Sequence, residues 1–145
     1  MISLALARKL KSSGLTWNPQ LNDFFAIPER ELDEKVFVIS DVSTYLGVQH
    51  GLPVIHFHGA EEWALDQIAT GETVWLPTEE QLRLILEHRL LEAMSLDADL
   101  PLLTLARTAI GYGCSIQFRK ESLKFEAEDA SEAYGLALLF VLERV

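Results

Sequence analysis

The residues best placed to do chemistry are His56 and His58, which flank Phe57 in a run of apolar and β-branched side chains. Side chains at i and i+2 of a strand leave the same face, so two imidazoles there can converge on one point. Glu62, four positions after His58, adds an oxygen donor. Two ring nitrogens and a carboxylate suit zinc, iron, manganese or nickel, which makes this trio a candidate site for a divalent transition metal. The competing reading places both histidines on the solvent face of an edge strand, with Ile55 and Phe57 buried behind them. The alternation of apolar residues and histidines favours that second reading.

With Gly51 ahead of it, the stretch 51–62 resembles the first motif of the cupins, in which two histidines and a glutamate surround a metal inside a barrel. The resemblance implies a metal-dependent enzyme. Its glycine spacing is one residue short, and the segment that follows reads as helix. No second cupin motif appears, since the only later histidine, His88, falls in a helical run.

Other chemistry is thin. Glu62 and Asp66 stand at i and i+4 with Glu61 beside them, an acid pair whose pKa values would split only on burial; a solvated helix face explains them as well. Cys114 is the single cysteine, which excludes an internal disulfide framework, and it sits in a strand-like run as a small apolar residue would. Trp17, Trp63 and Trp75 with Phe24 and Phe25 would line a ligand groove or, in the plainer reading, fill a core. There is no phosphate-binding loop, no serine elbow and no zinc-protease histidine pair; Gly111-Tyr112-Gly113 lacks the third glycine of a dinucleotide turn. No catalytic residue and no cofactor is expected.

The 145 residues carry 12 Lys and Arg against 22 Asp and Glu, a formal net charge of -10. A field of that sign disfavours nucleic acid and anionic lipid. The basic residues gather only at Arg8, Lys9 and Lys11 and again at Arg119, Lys120 and Lys124, both read as solvated faces. Hydrophobic residues make up 49%, enough for a core without metal or disulfide support. No run approaches a membrane span, and the first residues do not read as a signal peptide, so a cytoplasmic location is expected.

The elements that would position these residues come from periodicity and capping. Residues 2–13 read as an amphipathic helix stopped by Gly14 and Leu15. Strands are expected over 24–27, 36–39, 42–48 and 53–58 as an antiparallel meander, with the charged run 29–35 as a loop or a helical turn. Helix is expected from Ala60 to Gly71, with Trp63 and Ile68 inward, then a short extended piece over 74–76. Thr78 and Gln81 form a capping box that opens a helix to about Leu91. Strands follow over 102–108, 113–119 and 122–127. A last helix is capped by Asp129 and Glu132, with Ala133, Leu136, Ala137, Phe140 and Val141 as its inward stripe. The fold class is therefore α+β, an antiparallel meander sheet with several helices and a C-terminal ββ(β)α unit. A single domain over 1–145 is expected, or subdomains 1–92 and 101–145 joined by the connector 93–100. The smaller of these would be marginal alone and would pack against the rest or against a second chain.

Three stretches carry a wider resemblance: Leu15-Thr-Trp-Asn-Pro with Asp23-Phe-Phe-Ala-Ile-Pro, then Glu62-Trp-Ala-Leu-Asp66, then Val74-Trp-Leu-Pro-Thr-Glu-Glu-Gln-Leu82. In order and spacing the chain resembles a group of small bacterial proteins of uncharacterised function, over about residues 4–90. Some of that group carry a pilus-assembly label; an ATPase of that kind needs a phosphate-binding loop, which is missing here. The shared motifs are folding signals, and the two histidines are not among them. The expectation is a bacterial, non-catalytic binding or regulatory module that acts through a protein partner or self-association. Trp75-Leu76 and Leu138-Leu139 are its expected contact positions.

Overall fold

The computed structural model describes residues 1–28, 32–39, 44–49, 52–57, 67–69, 73–94 and 100–144. In chain order these form α1 (Leu4–Ser12), β1 (Phe24–Ile27), β2 (Leu32–Val38), β3 (Thr44–Gln49), β4 (Leu52–Phe57), β5 (Gln67–Ala69), β6 (Val74–Leu76), α2 (Glu79–Glu92), β7 (Leu103–Arg107), β8 (Tyr112–Phe118), β9 (Glu121–Ala127) and α3 (Ala130–Leu142). Among the described residues every sheet is antiparallel and three-stranded, which makes the class α+β. Among the described residues no helix is long and apolar enough to cross a membrane. The chain groups into two units, Thr16–Leu76 and the pairing of Met1–Leu15 with Pro77–Val145.

In the unit Thr16–Leu76, β1 lies between β2 and β6, with Phe25 opposite Phe37 on one side and Trp75 on the other. Phe25 and Ile27 are fully buried, and the Trp17 ring stacks on Trp75 at 6.4 Å and meets Phe25 at 5.6 Å. The buried Asp23 carboxylate closes the approach to this cluster: it accepts from the Trp17 indole N–H at 2.9 Å and the Gln20 backbone N–H at 3.0 Å. Of the five aromatics, Phe25 is core, Trp17, Phe24 and Trp75 are half-buried, and Trp63 lies outside the described residues. Of the meander expected over strands 24–27, 36–39, 42–48 and 53–58, the β1-β2 and β3-β4 pairings are found, whereas β2 and β3 belong to different sheets.

Two segments of this unit depart from their local patterns. Leu32–Val38 is a strand where a loop or helical turn was expected, but its ladder with β1 runs through Leu32, Phe37 and Val38 only. Asp33, Glu34 and Lys35 fall in the register shift between these pairs, where the extra residues of a bulge go unpaired. Gln67–Ala69, expected as helix, is also a strand. It pairs Val54 with Ala69, Ile55 with Ile68 and His56 with Gln67. A few apolar positions do not distinguish periods of 3.6 and 2, and pairing with β4 decides the outcome. The preceding residues 58–66 lie outside the described residues.

The other unit is a sheet, β7-β8-β9, covered by α3, with α1 and α2 packed against α3. Cys114, Ile116 and Phe118 alternate along β8 and are buried. On β9 the half-buried Leu123, Phe125 and Ala127 alternate with exposed Ser122, Lys124 and Glu126, as expected. Helix ends follow their local signals. Thr78 and Gln81 complete both bonds of the capping box. The Leu15 N–H donates to Leu10 O at 3.0 Å and the Gly14 N–H to Lys11 O at 3.2 Å, with Gly14 at φ 101°, the Schellman stop predicted for α1.

Helix α3 differs from expectation in two ways. Glu132 accepts nothing from the Asp129 backbone in the described bonds; its carboxylate takes the Ser3 N–H at 2.9 Å and the Ser3 hydroxyl at 2.7 Å. Only Asp129 caps α3, through the Glu132 N–H, and Glu132 instead ties the starts of α3 and α1 together. Burial also extends beyond one stripe, taking in Tyr134, Gly135 and Leu138, because α1, α2 and the sheet all lie against this helix.

Candidate functional site

The predicted metal trio is only partly within the described residues. The backbone of His56 lies in β4, opposite Tyr45 on β3 and Gln67 on β5. β4 is thus the central strand of its sheet and not the edge strand of the solvent-face reading. His58 and Glu62 lie outside the described residues, as do Glu61, Trp63 and Asp66. Among the described residues, no three or more His, Cys, Asp or Glu side chains gather as a metal site would require.

Cys114 makes no nucleophile. It is fully buried against α3, and burial pushes its thiol up from 9.0 to about 11, so the reactive thiolate is scarcely populated near neutrality. The Tyr134 hydroxyl is raised as well, first by burial and then by the neighbouring thiol. This is the chemistry of a sealed core.

The expected contact positions are also mostly interior. Leu76 is 3% exposed and Leu138 0%, while Trp75 and Leu139 are half-buried. Val74 and Leu76 are buried on the edge strand β6, and Leu138 is buried because α1, α2 and the sheet all lie against α3.

The apolar surface lies on α2. Leu82, Leu86 and Leu90 recur at i, i+4 and i+8 and are fully buried. Leu84, His88 and Leu91 fall at i, i+4 and i+7 on the opposite side of the same helix, where Leu84 is 49% and Leu91 58% exposed. Met94, just beyond the helix, is 48% exposed. A helix with leucines on two sides has one face for its own core and one left over. The cue was present in the sequence, since Leu84 and Leu91 are seven apart and out of phase with the buried stripe.

Beside this outer face runs a groove lined by Leu84, Ile85, His88, Arg89 and Glu92, which takes in Leu84 and His88 but not Leu91. It shares Arg89 and Glu92 with a second cleft that reaches Ala93, Phe118, Arg119 and Val141. The Arg119 guanidinium lies over the Phe118 ring at 5.0 Å, and Phe118 meets Phe140 edge-on at 6.2 Å. Arg144 lies over Phe140 at 3.4 Å and donates to the Phe140 carbonyl. Glu92 is 3.6 Å from His88 and 3.9 Å from Arg89, beyond a good hydrogen bond in both cases. Arg83, in contrast, is tied to Glu87 at 2.8 Å, which raises its pKa further. The groove offers the apolar side chains of Leu84 and Ile85, and the adjoining cleft offers the guanidinium groups of Arg89 and Arg119.

Fold and site together define an α+β protein with an apolar and basic strip on one helix of an acidic chain. No family model, curated protein or solved structure matches it.

Proposed function

We infer that the chain is a non-catalytic cytoplasmic module that acts through protein–protein contact, with the outer face of α2 as the contact surface. The observation that carries this is the second leucine stripe: Leu84 and Leu91 stand exposed directly opposite the buried Leu82, Leu86 and Leu90. Isolated exposed leucines are ordinary, but a register of them on one face, continued by Met94, is how a helix presents a docking surface.

Site-specific photo-crosslinking in the native cell tests the inference. A photoreactive residue at Leu84 or Leu91 should yield protein adducts larger than the chain, and one at the exposed Thr104 of β7 should not. Absence of adducts at both leucines, or equal adducts at Thr104, sinks it.

A further inference from the structure

We propose that the α2 strip recognises an acidic linear segment of its partner, in which an apolar side chain and a carboxylate lie about 12 Å apart. This rests on the contact surface inferred above and supplies the chemistry of what sits there.

The first argument is charge. In a chain of net charge -10, Arg89 and Arg119 line one cleft, and Lys120 follows Arg119 in the adjoining turn. Among the described residues Arg119, Lys120 and Arg144 pair with no carboxylate, and Glu92 is the only acid lining the groove and cleft. The Arg119 guanidinium lies over the Phe118 ring at 5.0 Å, which holds it at the cleft while its N–H groups remain donors for a carboxylate.

A second argument is the turn that carries two of these cations. β8 and β9 pair through Phe118 and Glu121, so Arg119 and Lys120 alone make the hairpin loop, at φ 48° and 74°. Positive φ at both positions favours Asn-Gly. Two long cationic side chains stand there instead, a choice that local folding preference does not explain and that a binding role does.

The spacing follows from the helix. Arg119 lines the cleft with Glu92 and Ala93; Glu92 is eight residues from Leu84, about 12 Å along the axis, which an extended peptide covers in about four residues. An apolar side chain on Leu84 and Ile85 would therefore place a carboxylate four residues away against Arg119. A long nucleic acid fits poorly, since most of its phosphates would meet the acidic remainder of the surface.

The test is fluorescence anisotropy of the full chain with four labelled ten-residue peptides: one with Leu four residues from an Asp-Glu pair, one lacking the Leu, one lacking the acids, and one with the two adjacent. The first should bind at least tenfold more tightly than the rest. Arg119→Glu and Leu84→Asp should each weaken it about tenfold, and added salt should weaken it further. Lys120→Gly, which suits the turn backbone, is a second variant secure in folding and should weaken binding about threefold. Equal binding of all peptides, no binding, comparable binding of a twenty-nucleotide single-stranded DNA, or a dimer that blocks the peptide would each overturn the proposal. Crosslinks at Leu84 with a failed peptide series leave the contact surface standing and remove only this chemistry; no crosslinks remove both.

Discussion

Replacing Lys120 by glycine should stabilise the protein. With φ at 74°, Lys120 holds a left-handed backbone in which its Cβ crowds the following carbonyl, at a cost of about 1–2 kcal/mol. Glycine removes that cost but gives the unfolded chain more freedom, worth about 0.5–1 kcal/mol in the other direction. The net expectation is a gain of about 1 kcal/mol, or roughly 3–5 °C in Tm for a chain of this size. Arg119→Asn should be close to neutral: asparagine tolerates φ of 48°, but the contact of Arg119 with Phe118 is worth about 0.5–1 kcal/mol and is lost. The control is Lys120→Ala, which removes the charge and keeps the Cβ. Urea denaturation followed by tryptophan fluorescence reads all three variants. If glycine and alanine have the same effect at position 120, or glycine destabilises, then the left-handed Cβ is not what strains this turn, and the reasoning fails. Together with the binding series, a gain in stability at the expense of peptide affinity would mark the turn as built for contact.

Two further outcomes follow from the core. A Cβ on Gly135 would lie 2.6 Å from Leu6 Cδ2, so Gly135→Ala should cost about 1 kcal/mol despite the higher helix propensity of alanine, and should become stabilising by about 1 kcal/mol when Leu6 is also alanine; a urea double-mutant cycle without that change of sign refutes the close approach of α1 and α3. For Cys114, both states hold the proton below pH 9, so the stability linked to it is fully present there. Between 9.0 and about 11 the unfolded thiol ionises while the buried one does not, and stability should fall by at most about 1.4 kcal/mol per pH unit. Comparing urea midpoints at pH 8 and 10.5, Cys114→Ala should flatten the decline and leave the part due to Tyr134, whose pKa is raised for the same reason.

By itself the sequence determined what short-range contacts decide. The Thr78–Gln81 box, the Gly14–Leu15 stop and the Asp129 cap each involve groups within a few residues of one another, and all three are found where they were expected. The alternation along β9 was legible for the same reason, since one face is buried and the other is wet. The His56 and His58 pattern was equally legible as spacing, but spacing along a strand does not say what stands across from it. Only the tertiary structure decided that β4 is central, that Gln67–Ala69 pairs as a strand, and that Leu76 and Leu138 face inward. It also turned Glu132 from its own helix start to Ser3, across 129 positions of chain. It likewise set Arg119 and Arg89 in one cleft, though as sequence the first belongs to a solvated basic run and the second to the capped helix. These partners are far apart in the chain, and a local pattern states only what a side chain can do. Which group it meets depends on the layers that burial brings together.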